Sequence, residues 1–260
     1  AMVKKRKLGL ALSGGSVRGL AHIGFLEVLE ENHIPVDFIV GTSMGALIGG
    51  IYSAGKLKEF KKKILKISRN KILTLLLSNK IKKGQTESHE IEKILKEFVG
   101  SKRIQDLSVE FVAVATDLKT GKEIFLDKGN LLKSIIASIS IPGIFNPVRM
   151  NKMILVDGGV IDPLPQNYAT KRANKVIAVN AMPDKFIYKK NADVFDIISE
   201  SVAIISNKLI SYRKDPNHLF IQIRTRGIDS FDIKHAEEII ELGRKAAKKN
   251  LKKIIKFTQK

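Results

Sequence analysis

The chain contains no cysteine, and that absence removes disulfides, thiolate metal sites and cysteine nucleophiles together. It has no tryptophan, and its few aromatic residues are not interleaved with its basic runs, so a groove that stacks single-stranded bases is not expected. No apolar run approaches the roughly 20 residues a membrane-spanning helix requires. The first residues carry charge where a secretory leader needs an apolar stretch. The expectation is a soluble, cytoplasmic protein. Its five histidines (His22, His33, His89, His218, His235) show no HExxH or comparable spacing, so no metal is expected. Acidic residues are also in short supply: 26 against 46 lysines and arginines leave a formal charge of +20.

What is present is enough chain for a full core. At 260 residues, with no internal repeat and no linker, one α/β domain over 1–260 is expected, with a basic lead at 1–7 and a lysine-rich tail at 245–260. Strands at Leu8–Leu12, Val36–Val40, Val109–Thr116, Glu123–Leu126, Met153–Val156, Lys175–Asn180 and Leu219–Ile223 alternate with helices. That order predicts a mostly parallel sheet covered on both faces. Leu73–Leu77, set between basic residues, reads as a core segment or as a lid or lipid contact. The excess positive charge fits a lysine-rich solvated surface, attraction to anionic lipid or attraction to nucleic acid. Charge alone does not choose among them.

The stretch with the most chemical content is Phe38–Leu47, a β-branched run followed by Gly41-Thr42-Ser43-Met44-Gly45 and a small-residue helix. A strand that stops at glycine and re-enters as a helix lifts the middle residue, Ser43, onto a tight turn with its hydroxyl above the sheet. Side chains at Gly41 or Gly45 would collide where strand and helix backbones meet. The free N–H groups at the helix start favour negative charge beside the hydroxyl.

A second glycine loop, Ser13-Gly14-Gly15-Ser16-Val17-Arg18-Gly19, joins the first strand to a helix and is built to hold an anion on backbone N–H groups. A dinucleotide fingerprint is disfavoured because the second strand ends at the serine turn and carries its acidic residue, Asp37, at the beginning. Ser43 requires a base. His218 and His235 stand in the right order for one, but one precedes a strand and the other opens a helix. Asp157 follows a strand directly and precedes Gly158-Gly159, where the chain turns sharply.

The glycine loop, Gly41–Gly45 and Asp157-Gly158-Gly159, with Gly19-Leu20-Ala21-His22-Ile23-Gly24 and Ala137–Phe145, resemble the patatin-like phospholipase family over roughly Leu8 to Ala181. The resemblance implies a three-layer α/β sandwich and a serine–aspartate dyad, with Ser43 the nucleophile and Asp157 its base. It implies an oxyanion hole from the N–H groups of Gly14, Gly15 and Ser16 with Arg18 nearby, and no metal or organic cofactor. The implied substrate is a phospholipid or other acyl-ester lipid, with peripheral contact at an anionic membrane and no nucleic acid. One departure is Ser16, where the family has a third consecutive glycine: the N–H remains but a side chain crowds the hole. A non-catalytic module that binds lipid or an acidic partner is the alternative. The dyad also makes a physical demand, since a carboxylate near pKa 3.9 is a feeble base unless desolvation raises it.

Overall fold

The computed structural model describes residues 8–66, 87–186, 194–225, 227–228 and 233–259. The basic lead at 1–7 and the Leu73–Leu77 segment lie outside the described residues. In chain order the elements are β1 (Leu8–Leu12), α1 (Ala21–Glu31), β2 (Phe38–Thr42), α2 (Met44–Ser53), α3 (Leu57–Lys66) and α4 (Glu87–Val99). There follow β3 (Glu110–Asp117), β4 (Lys122–Leu126), α5 (Leu131–Ser138), β5 (Val148–Met150), β6 (Met153–Asp157) and α6 (Gln166–Ala169). The last are β7 (Lys175–Asn180), α7 (Val194–Tyr212), β8 (Leu219–Gln222) and α8 (Ala236–Gln259).

β1 and β2 are buried at every position, as strands covered on both faces must be. They lie in a sheet whose pairings run β5-β6-β3-β2-β1-β7-β8, with β4 also paired to β3. β3, β2, β1, β7 and β8 run parallel; β4 and β6 run antiparallel to β3, and β5 pairs antiparallel with β6. Alternate side chains separate the two faces. Leu10, Leu12, Ile39, Phe111 and Ile177 pack on the side of α1, α2 and α8. Ala11, Phe38, Val40, Val112 and Ala178 pack on the side of α6 and α7.

Close approach of backbones holds α8 to α1: a Cβ on Gly243 would meet the Ala21 carbonyl, and one on Gly24 would meet the Ile240 carbonyl. Arg244 closes that contact with ion pairs to Glu27 and Glu31 at 3.0 and 2.9 Å. No helix among the described residues is long and apolar enough to cross a membrane.

The middle strand has the consequence for function. β3 pairs with β2 through Glu110–Val114 and with β6 through Ala115–Asp117. β4 pairs with Ala113–Asp117 and therefore occupies the other edge. β2 and β6 must then share one edge, running toward each other. Thr42 faces Val114 and Asp157 faces Ala115, so the ends of the two strands meet opposite consecutive residues of β3.

The sheet is mostly parallel with helices on both faces, as the sequence implied, and the bounds of the seven expected strands agree within two residues. β5 was not anticipated. It forms a hairpin with β6 through Asn151 and Lys152, both left-handed at φ 47° and 67°. That turn is ordinarily signalled by glycine, and a lysine there conceals it.

Candidate active site

Ser43 sits between β2 and α2 with φ 56° and ψ −123°, a conformation L-residues rarely adopt and one that marks functional turns. Gly41 and Gly45 make the turn possible: a Cβ on Gly41 would strike the Gly45 carbonyl, and one on Gly45 would strike the carbonyls of Leu12 and Ser13. The Ser43 N–H donates to Ser138 Oγ at 3.0 Å, and Ser138 Oγ–H donates to the Val114 carbonyl at 2.6 Å. Ser138 thus pins the turn to β3.

Asp157, the last residue of β6, is buried. Its N–H donates to the Ser140 carbonyl at 2.9 Å, and its carbonyl accepts from Thr116 Oγ1 at 3.0 Å. Oδ1 accepts from the Gly159 N–H at 2.7 Å. Oδ2 is buried and has no well-formed hydrogen bond among the described residues. Burial pushes the carboxyl pKa up to about 6, against opposing interactions with the Ser43 hydroxyl and the Gly159 amide. Ser43 is thus near enough to be felt by the charge, although the two groups fall short of full hydrogen-bond geometry. The carboxyl is raised above its ordinary value and still ionises below neutrality.

The glycine loop reaches the same end of the sheet. Ser13 Oγ–H donates to the Gly14 carbonyl at 2.7 Å while accepting from the Ala181 N–H at 2.8 Å. The buried His22 ring shares a hydrogen bond with the Ser13 carbonyl at 2.9 Å, and burial lowers its pKa to about 4, so it is neutral at pH 7 and donates through Nε2. Gly15 (φ 141°) and Ser16 (φ 50°) are both left-handed, so Ser16 occupies a conformation that suits glycine.

The loop differs from expectation in one donor. The Gly14 N–H is engaged with the Pro163 carbonyl at 3.0 Å and does not point a free N–H into the site. The N–H groups of Gly15 and Ser16 have no recorded acceptor among the described residues. Arg18 is buried and donates from Nη1 to the Ile228 carbonyl at 2.8 Å, tying the loop to the segment after β8.

Neither competing histidine joins Ser43. Leu219 aligns with Ile177, which aligns with Leu10, so His218 lies toward the amino end of the sheet, away from the strand ends that carry Ser43. His218 Nε2 faces Asp215 Oδ2 at 3.5 Å, and His235 Nδ1 meets Glu238 Oε2 at 2.9 Å.

The sequence reading missed a second buried carboxylate, Asp162, whose pKa burial raises to about 6 against the lowering effect of Arg213. Its Oδ1 stands 3.0 Å from Arg213 Nη1, and its carbonyl accepts from Thr42 Oγ1 at 2.7 Å. Ser138 and Ser140 were also missed as braces of Ser43 and Asp157. Two serines two apart, at and just past the end of α5 and within the Ala137–Phe145 phrase, were the available signal.

Residues 10–170 match the family model described as patatin-like phospholipase, a span containing the glycine loop, Ser43 and Asp157. An uncharacterized NTE family protein of Mycobacterium tuberculosis is 38% identical over 175 residues, which are 67% of this chain and 49% of that protein. Lysophospholipase NTE1 of Saccharomyces cerevisiae is 33% identical over 166 residues, 61% of this chain and 10% of that protein. The chain therefore spans about half the length of the mycobacterial relative. Among solved structures, VipD from Legionella pneumophila is a loose likeness, with a TM-score of 0.49 at 12% identity, covering 96% of this chain and 67% of that one.

Proposed function

From its place in the patatin-like phospholipase family, to which the chain belongs, we infer that it is a lipid acyl hydrolase acting on phospholipid or lysophospholipid esters. The observation that carries the reading is the meeting of β2 and β6 end to end on one edge of β3, which brings the Ser43 turn beside the unpaired Oδ2 of Asp157.

Asp157 accepts the Ser43 proton as Oγ bonds to the ester carbonyl carbon. The carbonyl oxygen takes the negative charge and is held by the Gly15 and Ser16 N–H groups with the field of the α2 start; a donor of this kind is worth roughly 3 kcal/mol in comparable sites. As the carbon–oxygen bond to the alcohol breaks, Asp157 returns the proton to the leaving oxygen. Water then attacks the acyl-serine, gives its proton to Asp157, and Ser43 is released with that proton as the free acid departs. Ionised Asp157 is the competent form, and its raised pKa gives it more pull on the proton than an exposed carboxylate would have.

One observation favours the non-catalytic alternative: with the Gly14 N–H engaged, the loop offers two N–H donors rather than three, and one of them belongs to a serine in a left-handed conformation. A fluorophosphonate probe and a short p-nitrophenyl ester decide. The hydrolase reading expects labelling at Ser43 and turnover that vanishes in Ser43→Ala and in Asp157→Ala, each checked for folding. Absence of labelling together with absence of turnover in the unaltered chain would leave a lipid-binding module.

A further inference from the structure

A globular helix needs one apolar face, and α7 has two. Ala203, Ser206 and Ile210 turn inward and are buried, at the spacing of a core-facing stripe. On the opposite side Ile197, Ile204, Ile205 and Tyr212 recur at i, i+7, i+8 and i+15 and stand in solvent, Ile204 at 49% exposure, Ile205 at 57% and Tyr212 at 73%. Val202 flanks the stripe, and Phe186 is exposed on a segment held to α7 by Asn207 Nδ2, which donates to the Pro183 carbonyl at 2.9 Å. Scattered exposed aliphatics need no explanation, but several large ones gathered on one side of one helix, with only Ser201 and Lys208 among them, do.

The carboxyl end of α7 is tied to the candidate active site. Arg213, one residue past α7, pairs with Asp162, whose carbonyl accepts from Thr42 beside Ser43. Gln166 Nε2 donates to the Arg213 carbonyl at 2.6 Å, and Val160, exposed three residues after Asp157, lies where α7 packs on the 158–160 turn.

We propose that the outward face of α7 is the surface by which the protein seats itself on an anionic lipid bilayer. The proposal rests on the hydrolase reading for the purpose of the contact but not for its existence. Charge selects the occupant. Two copies of a +20 chain repel each other, whereas an anionic leaflet attracts one. Exposed Lys208 stands within the face, one turn from Ile204 and one from Tyr212, and exposed Lys185 adjoins Phe186 in the chain. The Lys208 ammonium lies 5.0 Å from the Tyr212 ring centroid, and that of Lys214 lies 4.3 Å from Phe220. A long cationic side chain over a tyrosine ring among exposed aliphatics, as Lys208 and Tyr212 provide, suits the head-group level of a bilayer.

The absence of tryptophan supplies a clean reporter. Ile205→Trp should shift its emission to shorter wavelength on addition of vesicles made of equal parts phosphatidylglycerol and phosphatidylcholine. Leu65→Trp, on α3 across the sheet, should not. The double variant Ile204→Ser/Ile205→Ser, placed in a Ser43→Ala background so that no lipid is consumed, should lose about tenfold or more in co-sedimentation with those vesicles. Unchanged co-sedimentation, or an equal shift from both tryptophans, overturns the proposal. So does an Ile205→Trp shift that grows with protein concentration in the absence of lipid, which would assign the face to a second copy. Because the readout is binding, failure of the esterase assay leaves this inference standing, and failure here leaves the esterase reading standing.

Discussion

The turn that follows β6 holds two buried carboxylates in two different settings, one at each end. Asp162 has Arg213 against it, itself shared with Glu123 at 3.1 Å, and lends its carbonyl to Thr42. Asp157 has no cation against it among the described residues, one amide on Oδ1, and an Oδ2 near the Ser43 hydroxyl. Burial raises both to a pKa of about 6. The difference lies in what each does with the charge: Asp162 spends it on an arginine that ends a helix, and Asp157 keeps it available.

Both carboxyls bind a proton in the folded chain at pH values where the unfolded chain has released it. Their contribution therefore makes stability fall as pH rises from about 4 to about 6, and level off above that. Moving a carboxyl from 3.8 to about 6 corresponds to about 3 kcal/mol, an upper order of magnitude for what each charge costs the fold at neutral pH.

The sharpest way to break the comparison is Asp157→Asn. Its kcat on a short ester should fall by about 10²–10⁴-fold, the usual worth of a general base, while the thermal midpoint at pH 8 rises. A lowered midpoint would mean that the ionised carboxylate is stabilising where it sits. Ser138→Ala comes next, because its hydroxyl serves the Ser43 end alone. Loss of the bond to the Ser43 amide should lower kcat by about tenfold to a hundredfold with KM little changed, and Ser138→Thr should recover part of it. Equal kcat in Ser138→Ala would show that the strained turn keeps its shape unaided.

The mildest change is expected at Asp162. Asp162→Asn should retain kcat within about tenfold and gain about 1–3 kcal/mol at pH 8, read by denaturant unfolding. The acid limb of kcat/KM should stay near pH 6 in Asp162→Asn and disappear with the activity in Asp157→Asn. A limb that moves with Asp162 would reassign the titrating group.

Much of this site was legible because its parts obey local rules. Gly41 and Gly45 announce a turn too tight for side chains, and Asp157-Gly158-Gly159 announces a reversal after a strand. What stayed hidden depends on partners distant in sequence. Nothing in Ser13–Arg18 reveals that the Gly14 N–H goes to Pro163, or that Arg18 reaches Ile228. Ser138 and Ser140 look like ordinary helix-end serines until β3 and β6 are laid beside them. Asp162 reads as a loop aspartate before proline because its burial comes from α7, and the outward stripe on α7 is indistinguishable in sequence from a helix buried all round.

The shared edge of β3 makes the strand a ruler against which two far-separated pieces of chain are measured. The gap between hydroxyl and carboxylate is graduated in peptide units at Val114 and Ala115, so lengthening, shortening or rewriting the loops and helices between them leaves the interval as it was. Only a slip of register along that ruler would pull the two groups apart.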